Sequence, residues 1–180
     1  MALAHLPSPF TDRPAPGLDA PSPHPSESIM EFRTPGQKAV YHRILPWMHE
    51  LFGESLVVFE DEPLFLVNLG SAVASTRVVP WHADESLITT RAYVVTDIDL
   101  TPELGYYLLR ENNGIYFGRF AYDAEDDIVF EHSLVGETCD RLELNHSVTT
   151  VIRIADNYDD EIVARWGGKR ALDRWGTGQP

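Results

Sequence analysis

Residues 140–168, DRLELNHSVTTVIRIADNYDDEIVARWGG, limit the fold more than any other stretch of this chain. Leu144, Val148, Val151, Ile152, Ala155, Tyr158, Ile162, Val163 and Trp166 recur at steps of three and four. A helix gathers such residues on one stripe about 100° wide, which must be buried against something else. Asp140 and Glu143 have the spacing of a capping box, and Gly167-Gly168 supplies the left-handed conformation that stops a helix. The chain therefore closes with a long amphipathic helix whose partner surface comes from earlier residues.

That surface reads as β. Thr34-Pro35-Gly36-Gln37 opens a first helix, with Thr as cap, Pro at the first position and Gln returning the capping bond. It runs to about Phe52, with Pro46 expected to kink or restart it and Gly53 to end it. LVVFEDEPLFLVNLG then gives a hairpin with Pro63 at a strand start. Residues 71–81 and 87–98, rich in Val, Thr and Ile, give two more strands around the turn at His82 to Glu85. Thr101-Pro102 opens a second helix, expected to run to Glu111 with Asn112, Asn113 and Gly114 as its stop. IYFGRFAY and DIVFEHSL form a second hairpin across an acidic turn. Strands clustered in runs predict an α+β domain: an antiparallel sheet of about five strands with helices packed on one side.

Residues 1–30, with seven prolines, read as a disordered tail, 34–173 as one domain and 174–180 as a short C-terminal tail. Net charge −14 and a pI near 4.7 disfavour nucleic acid and anionic membrane as partners. Sixteen acidic residues stand against four arginines between Asp97 and Glu161. The single cysteine rules out an internal disulfide and agrees with a cytoplasmic location, as does the lack of a signal-like start.

Candidate chemistry is sparse. Glu143-x-x-His146 has di-iron spacing but no second pair, so a solvent-facing pair is the reading. Asp156, Asp159, Asp160 and Glu161 read as a solvated acidic face rather than a cation site. Cys139 lies before a helix start, where a dipole could lower its pKa, yet nothing around it resembles a nucleophile's setting. His82-x-Asp84 reads as a loop. Neither a phosphate-binding loop nor a nucleophile elbow occurs. We expect no cofactor, no metal and no catalysis. The remaining signal is an aromatic surplus on the strands: Tyr116 and Phe117 cannot both point inward from a regular strand. Either the first helix or a partner copy covers a second apolar face, or the surplus lines a groove or strand edge that takes an extended peptide.

GSAVASTRVVPW, the run VVTDIDLTPELGYYLLRENNGIYFGRFAYDAEDDIVFEHSLVGETCD, and ADNYDDEIVARWGGKRALD together resemble the YbjN-like proteins grouped with CesT-type type III secretion chaperones. The resemblance covers about Thr34 to Asp173 and implies a curved antiparallel sheet, no cofactor, a bound polypeptide segment and often a homodimer. It carries over no catalytic residue. Its hallmark spans Tyr158 to Gly168, with Tyr158, Asp159, Asp160, Trp166, Gly167 and Gly168 expected to pack the closing helix. The sequence thus leads to a non-enzymatic, chaperone-like protein that holds a client at a strand edge and aromatic surface, with Phe59, Phe65, Trp81, Tyr116 and Phe120 as contacts. The alternatives are a regulatory or scaffold subunit that recruits a basic partner through its acidic face, and an enzyme or metal protein using Cys139, His132 or the aspartates.

Overall fold

The computed structural model describes residues 30–70, 72–82 and 84–171; the two expected tails lie largely outside them. The order is α1 (Pro35–Phe52), β1 (Leu56–Val58), β2 (Leu64–Leu69), β3 (Ala72–Trp81), β4 (Glu85–Thr96), α2 (Pro102–Gly114), β5 (Arg119–Tyr122), β6 (Ile128–Val135), α3 (Arg141–Trp166) and β7 (Lys169–Arg170). All strand pairs are antiparallel, in the order β1-β2-β3-β4-β6-β5, with β7 paired to the end of β4. The sheet has seven strands rather than about five.

Local chemistry sets the helix ends. Thr34 accepts from the Gln37 N–H at 3.1 Å, and Thr101 accepts from the Leu104 N–H at 3.2 Å. Asp140 and Glu143 form the reciprocal capping box, at 2.8 and 3.0 Å. Gln37 departs from its expected role. Its Oε1 accepts from Arg33, one residue before the cap, at 2.7 Å, and its Nε2 donates to the Val78 carbonyl at 2.8 Å, tying α1 to β3. Pro46 lies inside one uninterrupted α1 and does not restart it. α2 continues to Gly114, three residues past the expected end, because the Asn112 side chain is engaged elsewhere.

The pleat sorts the strand residues into two faces. Phe65, Thr76, Thr90 and His132 lie opposite one another across β2, β3, β4 and β6 on the helix side. There Phe65 stacks on Tyr41 of α1, and the His132 Nδ1 lies 2.9 Å from the Ser147 Oγ of α3. The core joins α1, α3 and this face, with Leu104 and Leu108 of α2 closing its flank. α1 therefore shares a face with α3, as the expectation of helices on one side has it, and among the described residues no helix covers the other side, which removes the first helix from the alternatives for covering it. One row on that side runs edge to edge as Val57, Leu66, Ser75, Arg91, Glu131 and Arg119.

Candidate functional site

The helix-free side is a mixed surface. Val57, Val73 and Val135 are exposed by 48, 39 and 55%. On the same side three arginines, one each on β3, β4 and β5, are paired: Arg77 with Glu62 at 2.7 Å, Arg119 with Glu131 at 2.8 Å, and the buried Arg91 with Asp123. Asp123 also accepts from the Asp127 N–H at 3.0 Å, so the acidic turn holds the carboxylate that neutralises Arg91.

The five expected contact residues do not form one patch. Trp81 is half-buried at the end of β3, its ring 4.9 Å from that of His82, and Phe59 is half-buried just past β1. Tyr116 is 97% exposed beside the opposite edge, five strand spacings or roughly 24 Å from β1. Phe65 and Phe120 are core residues, 0 and 5% exposed, because the pleat turns both toward the helices. Phe120 packs edge-on against Phe130 and Tyr158, each at 5.0 Å, so neither it nor Phe65 presents a surface to a ligand. Ile115 to Gly118 is not strand: Gly118, at φ +91, passes so close to β6 that a Cβ there would lie 2.7 Å from the Glu131 carbonyl. Phe117 instead leaves the sheet and sits between two imidazoles, edge-on to His132 at 5.8 Å and stacked on His146 at 6.2 Å.

The hallmark residues hold the end of α3. The Tyr158 hydroxyl donates to the Glu111 carboxylate at 2.6 Å, and this bond, then burial, raises its pKa to about 12. Trp166 packs on Tyr107 of α2 at 4.9 Å, with the Arg165 guanidinium over its ring at 4.1 Å. Gly168, at φ +84, passes where a Cβ would meet Val95 Cγ1 at 2.6 Å, and this close approach lets Lys169 and Arg170 pair with β4. Asp160 meets Arg170 at 3.2 Å, and burial raises the pKa of Asp159. Of the other candidates, Glu143 is engaged by the capping box and His146 by Phe117. Burial pushes the Cys139 thiol up to about 11, the reverse of dipole activation.

Asn112 is the residue that sequence reasoning missed. Its Oδ1 accepts from the Phe120 N–H at 2.7 Å and its Nδ2 donates to the Phe120 carbonyl at 3.2 Å. One side chain thus takes both outward backbone groups at the middle of β5, where a further strand would pair.

A one-sided antiparallel sheet with three helices, two of them laid on the same face, defines an α+β open-sheet protein of the secretion-chaperone kind. The chain belongs to the family described as T3SS (YopN, CesT) and YbjN peptide-binding chaperone 1, whose model matches residues 42–174. Among solved structures it is similar to a chain of the crystal structure of the ExsC-ExsE complex. That match has a TM-score of 0.51 and 12% identity, over 69% of this chain and 93% of that one. Comparison with curated proteins finds no match. Among the described residues no helix is long and apolar enough to cross a membrane.

Proposed function

We propose that this protein is a non-catalytic, cytoplasmic binder of polypeptide segments, which takes its client at the helix-free side of the sheet and an adjoining strand edge. The observation that carries the reading is the sheet itself: exposed Val57, Val73 and Val135 lie on a face that no described element covers. Main-chain pairing at an edge would supply affinity and the apolar side chains selectivity. Phe59, Trp81 and Tyr116 remain contact candidates, while Phe65 and Phe120 would support the surface from beneath. Membership of a peptide-binding chaperone family supports the class, and the similar solved chain was crystallised as a complex.

A second surface favours a homodimer. Tyr106 and Leu109, three residues apart on α2, are 71 and 68% exposed and share one helical face. This face suits a second copy better than a core. The test is light scattering of the purified chain at low and high salt, with mass spectrometry of whatever co-purifies. Polypeptide retained at high salt, and released by Trp81→Ala or Val73→Asp, supports the reading; a preparation free of polypeptide removes it.

A further inference from the structure

Resting on the polypeptide-binding reading above, the geometry points to the outer edge of β1 as the place where an extended client pairs. The client it fits carries Lys or Arg on both sides of a short apolar run. The competing edges are partly closed. On β5, Asn112 holds both outward groups of Phe120. Where β3 extends past β2, the Val78 N–H donates to Pro63 at 3.1 Å and its carbonyl accepts from Gln37 at 2.8 Å; Pro80, the next outward position, has no N–H. Where β6 extends past β5, the Val135 carbonyl accepts from Cys139 at 3.1 Å, which leaves both groups of Ser133 and the Val135 N–H, with no acidic cluster of the β1 kind around them.

β1 differs. The Phe59 N–H donates to the Leu64 carbonyl at 3.1 Å, which fixes the alternation: Phe59 and Val57 face β2, while Leu56 and Val58 face away. The Leu56 N–H is used by Gly53. The Leu56 carbonyl and both backbone groups of Val58 remain, and no described residue pairs with them. They match one residue of an antiparallel neighbour and the next donor along.

Charge selects the occupant. Residues 50–62 contain five acidic residues and no basic one. Glu50 and Glu62 meet Arg141 and Arg77, whereas exposed Glu54 on one side of β1 and Glu60 and Asp61 on the other make no ion pair among the described residues. A second copy pairing edge to edge would set these carboxylates against their counterparts. Residues 1–29 bring Arg13 together with Asp12, Asp19 and Glu27, and so lack the complementary charge. A basic, extended partner remains.

The test titrates a labelled synthetic peptide, a Val-Thr-Val-Ile core between Lys pairs, into the full chain. It is compared with the same core between Glu pairs and with a version N-methylated at alternate amides. The Lys peptide is expected to bind at least about tenfold more tightly than the Glu peptide at low salt, where exposed charges are least screened. N-methylation should abolish binding, and Glu54→Lys/Glu60→Lys/Asp61→Lys should reverse the charge preference. Val58→Pro removes the outward donor; the methylated peptide tests the same bonds on unaltered protein. Absence of probe binding, equal affinity after methylation, or no response to charge reversal overturns the assignment, as does a Val58→Pro change in solution mass, which gives the edge to a second copy. If wild type still co-purifies with polypeptide in those cases, peptide binding stands and only the edge is lost.

Discussion

Phe65→Ala is expected to lower the unfolding free energy by about 3–5 kcal/mol, since it empties a fully buried site under α1. Tyr116→Ala, at a 97% exposed position, should stay within about 0.5 kcal/mol of wild type. Urea unfolding of the two variants separates the core aromatic from the surface one. Cys139 offers a second residue-scale check: a thiol with its pKa near 11 is protonated at neutral pH, so a thiol-reactive dye should label it only as fast as the protein unfolds. Burial, aided by Arg119, lowers the pKa of His132. The unfolded chain then binds a proton that the folded one resists, so this contribution to stability is lost as pH falls through about 6.5. Between about pH 7.5 and 5.5 the wild-type urea midpoint should fall more than that of His132→Asn.

At the scale of elements, Asn112→Ala should expose the Phe120 backbone groups, cost about 1–2 kcal/mol and produce concentration-dependent association through β5, read by light scattering. Gly168→Ala should release β7, since the new methyl meets Val95 at a backbone angle that L residues rarely adopt. The expected readout is faster amide exchange at Lys169 and Arg170. These two positions also mark where the sequence stopped being legible. The caps at Thr34, Thr101 and Asp140 were readable because each joins a side chain to an amide three residues on. The buried stripe of α3 followed from periodicity, and the pairing of β1 with β2 from two short apolar runs around Asp61-Glu62-Pro63. Asn112 read only as a helix stop, because its partner lies beyond a loop, in another element. β7 gave no pattern at all: two residues long, it is strand only because Gly168 admits it beside β4. Phe65 and Phe120 looked available because periodicity marks alternation without saying which face the helices take.

For the whole molecule, the choice is between apolar and charged capture. A client held at β1 through its basic flanks should lose affinity as salt rises, because exposed charges are screened within about 10 Å at 0.1 M. One held on the Val73 and Val135 side should be nearly indifferent to salt. Titrating one client at both salt levels apportions binding between edge and face, and a strong salt effect on a client with no basic residue would contradict the assignment of roles.

The paired arginines of the free face carry a consequence for release. Any partner laid flat over Arg119 and Glu131 strips water from an ion pair that the protein has already made, a cost of up to several kcal/mol with no new attraction in return. The face therefore penalises complete, dry coverage and leaves narrow, hydrated contact as the cheaper arrangement. A surface of this kind sets a ceiling on residence time, and a protein that must surrender its cargo gains from having that ceiling built into its own strands.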